Sequence, residues 1–323
     1  MQKGIINLQI WSRCRLESVM KTKSLIRKIT SPYKLLDKVL RMVSPLIRSD
    51  KLYSEMRYYA CMRKPLHLNP PKTFNEKLQW LKLYDRHESY SKLVDKYEVK
   101  QYVGNIIGKE YIIPTYGLWE HVDDIDFDGL PDQFVIKCTH DSQSFIICPD
   151  KKAFEVDKAK KKLRKALKFN KWYYQGREYP YKNVQPRIIA EQYLVDESGT
   201  ELKDYKFFCF DGEPKVLLIV SGRGYNQRQD FYDMDFNLLP FHRIKHPNSG
   251  LERTPPENFD QMVELAKVLS KGFPHIRVDF YNVSGKIFFG ELTFFSGGGN
   301  TRFEPDEWDG ILGSWINLPK AQN

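Results

Sequence analysis

Asp279 and Glu291 lie in a stretch whose pattern would bring two carboxylates face to face. Residues 275–300 read HIRVDFYNVSGKIFFGELTFFSGGGN. Positions 275–281 alternate, with His275, Arg277 and Asp279 on one face and Ile276, Val278 and Phe280 on the other, the period of a half-buried strand. Positions 287–295 predict a second strand, and the polar residues 282–286 a hairpin loop. A turn centred on Gly285 sets Asp279 opposite Glu291 and Arg277 opposite Thr293. Side chains opposed in this way lie about 4.5–5.5 Å apart, where like charges destabilise the pair. Two such carboxylates call for a cation, and oxygen donors of this kind favour Mg²⁺ completed by water and phosphates. The competing reading is an exposed hairpin with solvated acids. His275 shares the face and is open between a packed histidine and a base.

A second group lies upstream. Lys137 sits within an apolar strand over 134–138, where a lysine must reach solvent at an edge or meet an anion. The turn 139–144 follows, with hydroxyls and N–H groups able to cap phosphate oxygens. Residues 188–194 read IIAEQYL. Glu191, followed by free backbone at Gln192, Tyr193 and Leu194, forms an edge that could read an adenine amine and ring nitrogen, and a capping or solvated Glu191 stays open. Asp204 and Lys206 share a face at the start of the next strand.

The secondary structure around these residues is legible in outline. Asn69, Pro70 and Pro71 mark a break. Thr73 with Glu76 forms a capping box opening a helix to about residue 83. Residues 89–103 predict one further helix, 104–131 an acidic loop region, 145–148 a short strand and 158–169 a basic helix. Strands follow over 187–194, 205–210 and 215–221, the last two joined by an Asp211-Gly212 turn. A helix spans about 258–271. Hairpins with interspersed helices imply an α+β fold with a largely antiparallel sheet.

At 323 residues with 41% hydrophobic content, the chain is globular and long enough for more than one domain. Its five cysteines (Cys14, Cys61, Cys138, Cys148, Cys209) are scattered without C-x-x-C spacing, which argues for reduced, mostly buried thiols in a cytoplasmic protein and against both a disulfide framework and a zinc knuckle. Of the net +10, residues 1–64 carry +11, from 15 basic and 4 acidic residues, and the rest carries −1. The basicity therefore belongs to an N-terminal helical arm, which Pro32 and Pro45 break into short pieces. No run approaches the roughly 18 apolar residues of a membrane span, and a signal peptide is not expected. A basic amphipathic arm suits peripheral contact with the inner face of a membrane, or a helix docked on its own domain. Nucleic acid is not expected as a partner, since one basic arm is not a reading surface.

Lys137, the Glu191–Leu194 run and the Arg277-x-Asp279 … Glu291-Leu-Thr293 hairpin occur in the order that resembles ATP-grasp enzymes. The closer resemblance is to the TupA-like ATP-grasp family, associated with teichuronopeptide and other bacterial surface-polysaccharide biosynthesis. It covers about 70–318 and is carried also by KTFNEKLQW at 72–80, LPDQFVIKC at 130–138, DYKFFCFDG at 204–212, RVDF at 277–280 and GELTF at 290–294. It implies two lobes with antiparallel sheets enclosing ATP: a basic arm over 1–70, a helical part over 71–130, a nucleotide-gripping lobe over 131–200 and a metal and substrate lobe over 201–323. Lys137 would touch the phosphates. Glu191, Gln192, Tyr193 and Leu194, with Asp204 and Lys206, would bind the nucleotide. Asp279, Glu291 and Thr293 would hold Mg²⁺, and Arg277 would stabilise the transferred phosphoryl group. Ser296 and Gly297 would cradle the acceptor, and Arg223 and Arg228 would grip an acidic sugar or stand as solvated surface arginines. The implied reaction activates a carboxylate as an acyl phosphate and joins it to an amine, with a small molecule or polysaccharide as acceptor. The 139–144 loop lacks the family's usual glycines and carries Asp141, and Thr293 stands where many relatives have asparagine. The rival readings are a glycosyltransferase or phosphotransferase of polysaccharide biosynthesis and a non-catalytic nucleotide-binding module.

Overall fold

Proline placement and aliphatic spacing build the N-terminal part. The computed structural model describes residues 31–141, 144–168, 170–199, 202–222 and 226–321. The chain divides into two compact units, Met1–Pro65 and Leu66–Asn323. In the first, Pro32 opens the helix Pro32–Val43 and Pro45 sits in the 3₁₀ turn Ser44–Leu46, positions where a missing N–H costs nothing. A second helix that the sequence reading does not anticipate, Asp50–Met62, starts at a Ser49 cap accepting from the Leu52 N–H at 3.2 Å. Leu36, Leu40 and Ile47 pack on Tyr53 and Ala60, and Asp37 accepts from Arg41 at 2.6 Å and Arg57 at 3.2 Å. The other face of Pro32–Val43 leaves Leu35 (59%), Val39 (45%), Met42 (72%) and, beyond it, Leu46 (82%) exposed.

The second unit holds two antiparallel sheets. The strands β1 (Thr115–Trp119), β2 (Phe134–Cys138), β3 (Ile146–Cys148) and β4 (Ile188–Gln192) form one sheet in the order β1-β4-β2-β3. Its inner face (Phe134, Ile136, Ile188, Ala190) packs on Leu163 of the helix Val156–Leu167. The strands β5 (Asp204–Phe210), β6 (Glu213–Ser221) and β7 (Arg228–Tyr232) are followed by the short β8 (His242–Arg243). The hairpin β9 (His275–Val283) and β10 (Lys286–Thr293) completes the second sheet, in the order β10-β9-β5-β6-β7. The two-residue β11 (Phe303–Glu304) pairs with β8. Asp211 and Gly212 make the expected β5–β6 turn, both with left-handed φ (49° and 84°).

Three expectations change. Residues 275–280 are buried on both faces, because the helix Phe259–Ser270 covers one side of β9 and Phe74 reaches the other, its ring 5.0 Å from that of His275. The single helix over 89–103 is two, Tyr90–Val94 and Glu98–Ile107. The loop region 104–131 contains β1, which pairs with β4.

The capping box at Thr73 and Glu76 forms as read and opens the helix Phe74–Tyr84. The C-terminal helix Glu307–Ser314 packs against it so closely that a Cβ on Gly313 would lie 2.5 Å from the Lys72 carbonyl oxygen and 2.6 Å from the Phe74 nitrogen. Backbone cannot yield there. Gly313→Ala is expected to lower stability by about 1–3 kcal/mol, whereas Gly310→Ala in the same helix, with nothing within 4 Å, should raise it by about 0.5–1 kcal/mol. Urea unfolding of the two variants checks both signs.

Candidate functional site

The β9–β10 turn is two residues long, Ser284 (φ 50°) and Gly285 (φ 80°), between paired Val283 and Lys286. Counted from that turn alone, Asp279 would face Gly290 and Glu291 would point to the other side of the sheet. A β-bulge between Phe289 and Glu291 absorbs Gly290 and restores Asp279 opposite Glu291 and Arg277 opposite Thr293. A Cβ on Gly290 would lie 3.1 Å from the Asp279 carbonyl oxygen, so this close approach suits glycine.

β5 adds Lys206 directly opposite Asp279. The cation that the facing carboxylates require is supplied by the chain itself. Arg277 is bidentate to Asp279 (Nε–Oδ1 2.6 Å, Nη2–Oδ2 2.7 Å) and also donates to Glu291 Oε1 at 2.8 Å and Thr293 Oγ1 at 3.0 Å. Lys206 contacts Asp279 and lies 3.1 Å from Asp204 Oδ1. Burial raises the Asp279 carboxyl above its ordinary value. Burial also works to raise Glu291, but Lys206, Arg277 and Lys96 overcome it and bring that carboxyl down to about 2.

On the other sheet, Lys137 projects from β2 to Glu191 on β4, and Lys100 reaches the same carboxylate at 2.6 Å. Glu191 is 3% exposed. Burial would lift its carboxyl, and the two lysines outweigh that and hold it below the usual glutamate range. The Glu191 side chain is thus taken up by lysines rather than offered to an adenine. The backbone beyond it is open: the Gln192 N–H is bonded to Pro114, while Tyr193 and Leu194 lie past the strand end without a described hydrogen bond.

Lys96 links the two groups. The break between the helices Tyr90–Val94 and Glu98–Ile107 is held by Asp95, whose Oδ1 accepts from the Tyr97 and Glu98 N–H groups at 2.8 and 3.1 Å and whose Oδ2 accepts from Arg187 at 3.1 Å. This leaves Lys96 beside both clusters. Its ammonium pKa is lowered by burial and by Lys137, with Glu291, Asp141 and Glu191 opposing, and it donates to the Asp141 carbonyl. Lys96 and Lys100 are missed by sequence reasoning; the signal available was Asp95 followed three residues later by Glu98, a helix-start signature inside an apparently continuous helix.

In the 139–144 turn, the described hydroxyls of Thr139 and Ser144 are bonded within the protein. Ser144 Oγ accepts from the Cys138 N–H at 2.8 Å and bonds Asp141 Oδ1 at 2.5 Å, and Thr139 Oγ1 donates to Gln185 at 3.2 Å. Asp141 therefore shapes the turn internally. Ser142, Gln143 and Arg223 lie outside the described residues. Arg228 stands on the edge strand β7 opposite Ser221 and makes none of the bonds that join the charged cluster. His275 is resolved as a core residue: its ring lies 5.0 Å from Phe74 and 4.8 Å from Phe210, and burial pushes it down to about 3, so it is neutral.

The turn Ser296–Gly299 is braced from the KTFNEKLQW helix. Gln79 Nε2 donates to the carbonyls of Gly298 (3.0 Å) and Gly299 (2.8 Å), Lys82 donates to Gly298 at 3.2 Å, and Asn75 exchanges two 2.8 Å bonds with the Thr301 backbone. Positions 75, 79 and 82 share one helix face, so this buried polar stripe exists to hold that turn. Gly297, Gly298 and Gly299 all have left-handed φ (64°, 66°, 66°), a run only glycine adopts readily. Ser296 is 0% exposed, and its Oγ accepts from Arg277 at 3.3 Å.

Among the described residues, no group of three or more His, Cys, Asp or Glu could hold a metal by itself. Asp279, Glu291 and Thr293 instead form the kind of two-carboxylate oxygen set that binds Mg²⁺ jointly with nucleotide phosphates. The donor set fits that ion.

Glu191 compensates two lysines at once, so Glu191→Gln is expected to cost about 3 kcal/mol at pH 7, as for a broken buried pair. Because its folded pKa is depressed, the wild-type contribution is present above the ordinary glutamate pKa and is lost as pH falls through the lowered value. Unfolding midpoints against pH for both proteins should converge in acid; parallel curves contradict this.

A family model described as TupA-like ATPgrasp matches residues 76–317 of the chain. No curated protein matches. Among solved structures, D-alanine–D-alanine ligase from Bacillus anthracis complexed with ATP is similar at 13% identity and TM-score 0.38, over 70% of this chain and 59% of that one. The Helicobacter pylori D-alanine–D-alanine ligase matches at 12% identity and TM-score 0.38, over 76% and 69%. An ADP complex of N5-carboxyaminoimidazole ribonucleotide synthetase matches at 14% identity and TM-score 0.41, over 68% and 50%. The chain thus spans about 50–70% of the length of these proteins.

Proposed function

The chain belongs to the TupA-like ATP-grasp family, and on that premise we propose that it is an ATP- and Mg²⁺-dependent ligase joining a carboxylate to an amine, with an acidic bacterial surface polysaccharide or its precursor as acceptor. The observation that carries this reading is Lys96, which interacts both with Lys137 and Glu191 on one sheet and with Glu291, paired to Arg277, on the other. Lysines on one side suit phosphate oxygens. Asp279, Glu291 and Thr293 on the other would hold Mg²⁺, which when bound neutralises charge on those oxygens.

In the reaction, a carboxylate oxygen of the acceptor forms a bond to the γ-phosphorus while the bond to the β–γ bridging oxygen breaks and ADP leaves. The amine would then attack the acyl carbon, the bond from that carbon to the phosphate oxygen would break, and inorganic phosphate would depart while the nitrogen gives up one proton to phosphate or water. Arg277, with Thr293 and Ser296 fixing its plane, and Lys137 would balance charge on the transferred group. The backbone at Tyr193 and Leu194, past the end of β4, would take the adenine edge. With Mg-ATP, a uronate-bearing glycan and candidate amines, the protein should form ADP, and Glu291→Ala and Arg277→Ala should each slow this about 10²-fold or more. Folded protein that forms no ADP across that panel contradicts the ligase reading; stabilisation by nucleotide diphospho-sugars in place of ATP would favour a transferase, and ATP binding indifferent to Glu291→Ala a non-catalytic module.

Among the described residues no helix is long and apolar enough to cross a membrane. We infer instead that Pro32–Val43 lies on an anionic lipid surface, because the exposed stripe Leu35, Val39, Met42 and Leu46 runs beside exposed Lys34, Lys38, Arg41 and Arg48. Basic residues near such a surface contribute about 1 kcal/mol each. The protein should co-sediment with phosphatidylglycerol-containing vesicles, less so at high salt, and Leu35→Asp with Met42→Asp should weaken this at least tenfold. Equal partition into phosphatidylcholine vesicles, no partition, or self-association abolished by the same substitutions would overturn it.

A further inference from the structure

Arg243 belongs to none of the groups above and was not a candidate from sequence. Its backbone is fixed by the β8–β11 pairing with Phe303. From there the guanidinium lies over the rings of Phe208 and Phe231, 5.8 and 5.7 Å from their centroids, and Nη2 donates to Ser296 Oγ at 3.0 Å. Arg277 Nη1 donates to the same oxygen at 3.3 Å. Two guanidinium groups therefore converge on one serine.

Their compensation differs. Arg277 has Asp279 and Glu291. Arg243 makes no ion pair among the described residues, its Nε is enclosed without a partner, and the bond to Ser296 is its one side-chain hydrogen bond there. Burial first, and then the like charge of Arg277, push its guanidinium down to about 9, against which Asp279 alone pulls. Arg243 is half-buried, with its Nε enclosed; a cation drawn this far from water without a counter-charge destabilises the fold that contains it, and an apolar residue stacked on the same two rings would serve packing better. The arrangement makes sense when an anion completes it.

The direction of the two arginines narrows the anion. Arg277 turns Nη2 toward Glu291 and Thr293 and Nη1 toward Ser296, so Arg243 adjoins the side of Arg277 facing away from the metal carboxylates. The phosphate side is served by lysines, compact charges, whereas a planar fork of donors beside a glycine turn suits bidentate recognition. We propose that Arg243, together with Ser296 and the Nη1 edge of Arg277, binds a carboxylate of the acceptor and selects for acidic acceptors. This rests on the ligase reading for the identity of the acceptor, while the anion site itself does not need ATP.

The test is therefore run without nucleotide. Thermal and calorimetric titrations with D-glucuronate, with inorganic phosphate and with uncharged glucose are made on the wild type, Arg243→Met and Arg243→Lys. Glucuronate should raise the wild-type Tm and glucose should not. Arg243→Met should weaken glucuronate binding at least tenfold, and Arg243→Lys should fall between them. In the absence of any anion, Arg243→Met should unfold at the same or higher urea concentration than the wild type, a result that a purely structural arginine would not give. No glucuronate effect on the wild type, an equal effect on Arg243→Met, a large loss of stability in the anion-free Arg243→Met protein, or phosphate binding as tightly as glucuronate would each overturn the assignment. ADP formation is scored separately, so failure of the ligase reading leaves this outcome interpretable on its own.

Discussion

The bidentate contact of Arg277 with Asp279, extended to Glu291 and Thr293, is the interaction on which the rest of the site depends. Two carboxylates on adjacent strands of a buried sheet repel each other, and burial makes that repulsion stronger than it would be in water. One guanidinium spanning both, with Lys206 on the far side of Asp279, lets the sheet close around them. The Gly290 bulge is the backbone condition for that closure, since without it Glu291 would face the opposite surface. Sheet register, side-chain charge and the position of a single glycine are one constraint.

The second sheet repeats the solution with the signs exchanged. There one carboxylate, Glu191, draws two lysines together, and the Asp95-capped break between two helices brings a third, Lys96, close enough to feel Glu191 and Glu291 at once. Most of the chemistry-bearing side chains thus arise from strands or helix ends, which hold them rigidly. The Ser296–Gly299 turn is the exception, and a polar helix face at Asn75, Gln79 and Lys82 is spent on steadying it.

What the sequence disclosed follows from range. The β9–β10 hairpin, the Asp211-Gly212 turn and the Thr73 capping box are local patterns, and all were legible. The facing of Asp279 and Glu291 was legible too, although the structure reaches it by a shorter turn plus a bulge that no periodicity shows. Lys96 was hidden because apolar spacing through 89–103 reads as one helix and masks the Asp95 cap. β1 was hidden in a stretch rich in glycine and acids, where its pairing with β4 overrides composition. Arg243 could not be found at all: it meets Ser296 across 53 residues, through a two-residue strand with no signature of its own. Glu191 is legible but its partner Lys100 is not, so the sequence leaves that carboxylate between adenine, a cap and solvent, and the structure gives it to two lysines.

On the ligase reading, the compensation now given to Asp279 and Glu291 by Arg277 would be exchanged for a divalent ion accompanying a nucleoside triphosphate. Crystals grown with Mn²⁺ and a non-hydrolysable ATP analogue measure this directly. An anomalous manganese peak held by Asp279 and Glu291 is expected, with Arg277 released from at least one of its two bonds to Asp279. Bound nucleotide without manganese at that position, and Arg277 still chelating Asp279, would contradict it.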